Sequence, residues 1–337
     1  MSGSVNKGSG WLLWGAFALP VILLILSLNL GSYHIPLKEV WATIVRGPAP
    51  GAAAASPLTD IIFRIRLPRL LLALFAGAAL SVSGASLQAL FKNPLVFEFS
   101  LGISYGAAFG AALSLVFLGR RFPPQLSAFV FAIMAVLLVL VIAGKSVSQI
   151  VPILLSGVIV SALFQALLSF VEFFANPYAL QALIFWLMGS LSQAVWKDLA
   201  LTLPVIGLGI IILILLRWRL NVLSLGDGEA RALGVNVKAE KALVIAAAAL
   251  ITAAATSVTG VINWVGLIVP HLVRMMVGVD NRKVIPLSAA LGASLLIVAD
   301  DIARNAAAFE IPIGILTSVV GIPLFIVLLK RSGKIWL

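Results

Sequence analysis

The chain has 337 residues, of which 62% are apolar and 10% charged, far fewer charges than the roughly one quarter usual in soluble domains, which excludes a cytosolic enzyme and any large extramembrane module. A formal charge of +11 reads, in so apolar a chain, as membrane topology and attraction to anionic lipid rather than as nucleic-acid binding. With no cysteine and only two histidines, His34 and His271, disulfide frameworks, thiolate chemistry and His/Cys metal ligation are excluded as well.

A membrane-crossing helix needs about 20 apolar residues, and the apolar runs predict ten spans, at 11–30, 61–90, 101–118, 126–143, 150–173, 199–216, 241–260, 262–277, 284–303 and 311–329. The first, Trp11 to Leu30, is too long for a secretory signal and no A-x-A site follows it, so it reads as a retained span. Segment 31–60 is an outer connection in which PGAAAASP, 50–57, has the composition of a surface loop. The run 61–90 is long enough to tilt or protrude, whereas 262–277 is short and interrupted by Pro270. Between the fifth and sixth spans, 174–198 contains FWLMGSLSQAVW and predicts a helix at the outer interface anchored by Trp186 and Trp196. An even number of spans puts both termini on one side, and the inner breaks hold most of the cations when that side is the cytoplasm. Arg64, Arg66 and Arg69 are the exception, crowding the outer end of the second span; taken alone, their ordinary explanation is snorkelling to lipid headgroups.

Candidate chemistry is sparse. Gly144-Lys145-Ser146 suggests a phosphate loop, but Val139 stands where its first glycine belongs, so no nucleotide site is supported, and if transport here is energised by ATP the hydrolysis belongs on another polypeptide. The long polar inner segment 217–241 predicts a short extramembrane helix, with Asp227 as cap, Glu229 near its positive end and Gly234 as left-handed terminator, a rigid knob suited to a partner's groove. Ser81, Ser83, Ser86 and Gln88 in the second span, and Ser156, Ser161, Gln165 and Glu172 in the fifth, serve either interhelical hydrogen bonds or a pathway. Gly102, Gly106 and Gly110 form two G-x-x-x-G steps for close helix approach. Asp300 and Arg304, four apart, can pair along one helix. Asp300 and Asp301 point about 100° apart on a helix and offer no catalytic pair, so the chain is read as not an enzyme.

Taken together, RIRLPRLLLALFAGAALSVSGASLQALFKNPL (64–95), LGISYGAAFG, LNVLSLGDGEARALGVNV (220–237), VGLIVPHLVRMMVG (265–278) and ADDIARNAAAFEIPIGILTSVVGIPLF (299–325) resemble the permease subunits of the iron-siderophore, haem and cobalamin class of bacterial ATP-driven importers. The resemblance implies an all-α integral membrane protein with ten transmembrane helices per subunit in the type II ABC importer permease fold. A single domain over 1–337 would contain the outer connection 31–60 and a cytoplasmic coupling loop at 217–240. It implies a bacterial inner-membrane homodimer with cytoplasmic termini, two ATP-binding cassette subunits and a solute-binding protein, with ATP and Mg on the partner ATPase and no cofactor on this chain. By the same resemblance Arg66, Arg69 and Arg304 dock the binding protein, and Gly226, Asp227, Glu229, Ala230, Arg231, Leu233 and Gly234 couple to the ATPase. Gln88, Asn93, Gln149, Ile150, Val151, Ser156 and Gln165 are the expected pathway and gate. The chain departs from the family pattern at Asn263-Trp264 and at Phe97-Glu98-Phe99. The expected cargo is a ferric siderophore, haem or cobalamin; the alternatives are a small oxyanion such as molybdate in the same machinery, or an ion-coupled secondary transporter.

Overall fold

The computed structural model describes residues 9–31, 33, 35–47, 57–119, 122–144, 149–307 and 309–332. Of the sequence features above, Lys7, His34, Arg120, Arg121, Lys145, Ser146, Lys334 and all of the 50–57 loop but Pro57 lie outside the described residues.

All regular structure among the described residues is helical. In chain order the helices are α1 (Ser9–Ser27), α2 (Leu37–Arg46) and α3 (Pro57–Asp60), which runs through a wide turn at Ile61–Arg66 into α4 (Leu67–Phe91). Then come α5 (Ile103–Leu113), α6 (Pro124–Ala143), α7 (Ile150–Phe174), α8 (Pro177–Leu187) and α9 (Trp196–Leu215). The rest are α10 (Arg217–Leu225), α11 (Asp227–Ala232), α12 (Val237–Thr259), α13 (Val265–Val277), α14 (Asn281–Asn305) and α15 (Ile313–Ser332). Among the described residues six helices are long and apolar enough to cross a membrane: Pro57–Phe91, Pro124–Ala143, Ile150–Phe174, Trp196–Leu215, Val237–Thr259 and Asn281–Asn305. The apolar parts of α1, α5, α13 and α15 are shorter.

Helix α4 is the axis of the molecule, packed by α9, α12, α13 and α14, with nearly every side chain buried. Its sequence explains why, because AGAALSVSGAS (76–86) is built from small residues that let other backbones approach. A Cβ on Gly84 would collide with the carbonyl of Gly266 in α13, and one on Gly77 with the carbonyl of Gly292 in α14. Of the serines expected in this span, Ser83 makes the interhelical bonds: its Oγ donates to Ala248 O at 3.2 Å and accepts from Thr252 Oγ1 at 2.8 Å, fastening α4 to α12, whereas Ser86 turns back to Val82 O of its own helix at 2.8 Å. Gly106 and Gly110 likewise bring α5 against the α6 backbone at Phe131 and Ser127. Because Gly84 touches backbone rather than a side chain that can swing away, Gly84→Val is expected to cost about 3 kcal/mol or more and abolish recovery of monodisperse protein. Size-exclusion profiles beside the wild type check this.

Two connections differ from expectation. The outer connection 31–60 contains a helix, α2, whose Leu37, Val40, Trp41 and Ile44 recur at helical spacing and whose Val40 is buried. The interfacial helix expected across 174–198 is α8 alone. Asn176 starts it by accepting from the Ala179 amide at 2.9 Å, and the chain then turns non-helically to Val195. The Trp196 indole donates to Phe63 O at 2.7 Å, so this tryptophan fastens α9 to the wide turn before α4.

Candidate coupling and docking sites

In the polar segment expected to face the cytoplasm, Arg217–Leu225 and Asp227–Ala232 form two helices joined at Gly226. The cap of α11 is Gly226, at φ 150, not Asp227. Asp227 instead accepts an ion pair from Lys241 at 2.8 Å, because the next helix, α12, begins alongside and presents that lysine. The Glu229 carboxylate folds back over Gly226, where any Cβ would strike it, and so stands at the positive end of α11. Gly234 ends the helix as expected, at φ 78. The Gly234 amide donates to Arg231 O at 2.9 Å and the Val235 amide to Ala230 O at 3.0 Å, the paired closure that a left-handed residue permits. Ala230 is buried against the body, while Glu229, Arg231 and Gly234 are exposed and Leu233 is 60% exposed.

This knob is rigidly carried. Ser224 Oγ lies 3.2 Å from Ala89 O at the foot of α4. Asn221 Nδ2 donates to Asp280 at 2.7 Å and Asn221 Oδ1 accepts from the Asn281 amide at 2.8 Å, joining α10 to the start of α14. The Arg282 guanidinium, with Asn221, holds the Asp280 carboxyl at about 2, so this joint keeps its charge at any physiological pH. Between α4, α10 and α14 lies a cavity of about 420 Å³ lined by Gln88, Lys92, Asn221, Ser224, Arg274 and Asp280.

At the opposite end of α4 the structure brings Arg66, Arg69 and Arg304 together and engages all three inside the chain. Arg69 Nε donates to Asp300 and Nη1 to Glu310, each at 2.8 Å. Arg304 pairs with Asp301, and its Nε lies 3.1 Å from Asp300 Oδ2, close enough for an ion pair although the N–H is not aimed at the oxygen. Arg66 donates to the carbonyls of Leu28 and Tyr33, and Ser27 donates to Asp301, tying in the end of α1. The side chain of Arg69 is 7% exposed and Asp300 is fully buried. These arginines therefore do not stand open to a partner, because unpaired cations at this depth would be costly, and Asp300 and Asp301 of α14, Glu310 beyond it and the carbonyls of Leu28 and Tyr33 engage them. Arg64 is the arginine of the motif that faces out, paired with Asp60 at 3.0 Å. The i,i+4 pairing of Asp300 with Arg304 is legible from sequence; Glu310 and Asp301 are the members of this cluster that sequence reasoning missed.

Next to Glu310, a cavity of about 540 Å³ opens among Gln125, Trp186, Ser190, Gln193, Gly260 and Glu310. Its wall is made where three non-helical stretches meet, bonded by the Ser190 amide to Thr259 O at 2.8 Å and by the Ile313 amide to Gly189 O at 3.0 Å. Irregular backbone of this kind, flanked by spanning helices, belongs where it lines a cavity.

The expected pathway residues divide. Gln149, Val151 and Gln165 are exposed on α7 or at its start, and Ile150 is half-buried. Gln88 is buried and accepts from Arg274, and Ser156 is buried with its hydroxyl on Pro152 O at 2.8 Å, so both are spent within the chain. Asn93 closes its own turn by accepting from the Leu95 amide at 2.9 Å. Both departures from the family pattern sit at the foot of α13. Trp264 adopts φ 72 at its start, with its ring 6.1 Å from Phe325, and Glu98 is buried with its carboxylate against Gly266.

The sequence profile of the FecCD transport family matches residues 19–331. The chain belongs to the FecCD transport family. It is 39% identical over 315 residues to a probable iron chelatin transport system permease protein of Helicobacter pylori, covering 93% of this chain and 96% of that one. It is 36% identical over 326 residues to the hemin transport system permease protein of Yersinia pestis, covering 93% of each. A solved structure described as an inward-facing conformation of a metal-chelate type ABC transporter superposes with a TM-score of 0.85 at 35% identity, covering 96% of this chain and 99% of that one. In this FecCD-family chain, then, six spanning-length helices and the shorter apolar ones around α4 belong to a multi-pass membrane permease.

Proposed function

We propose that the chain is the permease subunit of an ATP-driven importer of the cytoplasmic (inner) membrane. It carries a metal chelate, a ferric siderophore, haem or cobalamin, from a solute-binding protein into the cytoplasm by alternating access. The observation that carries the reading is the capped, exposed knob α11, fixed through α10 to α4, α12 and α14. A partner that moves this knob moves the central helices with it, which is what a subunit without its own nucleotide site needs.

In this reading the six long helices together with α1, α5, α13 and α15 make ten spans, α8 lies at the outer interface, and both termini are cytoplasmic. ATP and Mg are handled by two separate ATPase subunits, each receiving one α11 knob. Two copies of the chain pair across the apolar faces that α7 and α15 leave open, where Val151, Val158, Phe173 and Val319 are all exposed. The passage runs along the exposed side of α7 past Gln165. The solute-binding protein docks over the outer arginine–carboxylate cluster, with charge there supplying orientation more than affinity.

The test is uptake by proteoliposomes holding the permease with its ATPases, loaded with ATP and given the binding protein with a radiolabelled ferric chelate. ATP-dependent accumulation is expected, abolished when the ATPase is inactivated. Accumulation driven by an ion gradient without ATP would instead establish a secondary transporter. Within that assay Gln165→Leu is expected to lower uptake several-fold without altering assembly, and normal uptake would return Gln165 to a packing role.

A further inference from the structure

The outer cluster is closed on itself, with Arg69 and Arg304 paired to the carboxylates of Asp300, Asp301 and Glu310 and Arg66 donating to backbone carbonyls, and its three cations and three carboxylates cancel in formal charge. The carboxylates are not equivalent. Asp300 and Asp301 are fixed on α14, with side chains 0% and 14% exposed, while Glu310 sits on the connector between α14 and α15 and is 47% exposed. Glu310 lies on Nη1 of Arg69, the outward arm of a guanidinium whose Nε is held by buried Asp300. Of the two carboxylates on Arg69, Glu310 is the one open to solvent, and so the one that an arriving group can replace. The same connector supplies Glu310, Ile311 and Pro312 to the wall of the outer cavity and presents Phe309, 73% exposed, beside them.

We propose that Glu310 is a positioning residue that occupies Arg69 in the undocked permease and is displaced by a carboxylate of the docking protein, so that docking and movement of the cavity wall are one event. The inference rests on the importer reading above.

The exchange is physically cheap, because one charge-assisted hydrogen bond replaces another and Arg69 keeps Asp300 throughout. The released Glu310, already half in water, gains hydration. Because the closed cluster is neutral, it offers little long-range attraction. The cluster itself reads whether the arriving surface places an acid at Arg69, with Phe309 as the adjacent apolar anchor. A protein lacking that acid leaves Glu310 seated and the connector unmoved, which builds discrimination into the contact.

The test uses the permease–ATPase complex in lipid nanodiscs and its solute-binding protein, with docking read by surface plasmon resonance. Glu310→Gln removes the competing carboxylate and is expected to tighten docking about tenfold, while Glu310→Asp restores the wild-type Kd. A purely structural link would not tighten on removal, so an unchanged or weaker Kd for Glu310→Gln, with the wild type docking normally, overturns the displacement. Absence of docking by the wild type overturns the importer reading and this inference with it. Should Glu310→Gln fail to assemble, spin labels at Phe309→Cys and Lys197→Cys, placed in a chain with no native cysteine, carry the test. Docking is expected to change their separation, and an unchanged distance overturns the displacement.

Discussion

Asp300→Ala is expected to destabilise the folded permease by about 3–5 kcal/mol. Asp300 is fully buried and serves two guanidiniums, Arg69 at 2.8 Å and Arg304 at 3.1 Å, which come from opposite sides of the α4–α14 contact. Removing it leaves Arg304 with Asp301 and Arg69 with the half-exposed Glu310, so two buried cations lose the partner that offsets their desolvation. It also loosens the end of α1, which reaches the same cluster through Arg66 and Ser27. Asp300→Asn keeps the shape and a neutral acceptor, so its loss should be smaller. Thermal unfolding of the purified protein in detergent checks the ordering, with the alanine variant melting well below the asparagine variant and both below the wild type. An alanine variant melting within about 2 °C of the wild type would mean that water or lipid headgroups already share these charges.

Gly234→Pro is expected to lower ATP-driven uptake by more than about tenfold while the amount of permease in the membrane stays near normal. The residue holds φ 78, which proline cannot adopt, and donates its amide to Arg231 O, which proline lacks. The α11 terminus unravels, and the exposed edge formed by Glu229, Arg231 and Leu233 loses its shape without disturbing the packing of α4. Gly234→Ala keeps the amide but pays for the left-handed backbone with about 1–2 kcal/mol, so its uptake should fall between the two. Recovery of the ATPase subunit with the tagged permease is expected to track uptake across the three proteins. Full recovery with the proline variant would place the ATPase contact elsewhere.

What sequence reveals of this chain follows the range of the interactions. Each predicted span coincides with a helix, six of them of spanning length, because long apolar runs report transfer out of water, whether into lipid or into the protein; close packing is legible in α5 from Gly106 and Gly110, while the glycines that bring backbones against α4 carry no such spacing signal. Gly234 and the Asp300–Arg304 pair were legible because both depend on neighbours within one or two helical turns. The α11 cap was misassigned for a related reason: Asp227 has the chemistry of a cap, but Lys241, fourteen residues away, claims it. Burial of Arg66 and Arg69 was not legible, since their partners are hundreds of residues distant or are carbonyls, and Glu310 meets Arg69 across 241 positions. Helix α2 was hidden for want of length, a ten-residue amphipathic pattern standing inside a connection otherwise rich in loop-forming residues. Its repeat of Leu37, Val40, Trp41 and Ile44 was the available signal.

The proposed importer works as a pair of these FecCD-family chains, driven by separate ATPases through α11. The most direct measurement is the native mass of the complex released by mild detergent from membranes in which the tagged chain is expressed with its own ATPase. Two copies of the chain with two ATPase subunits are expected, falling to the permease pair alone in Gly234→Pro. A wild-type oligomer that reproducibly carries no ATPase under gentle extraction would contradict it.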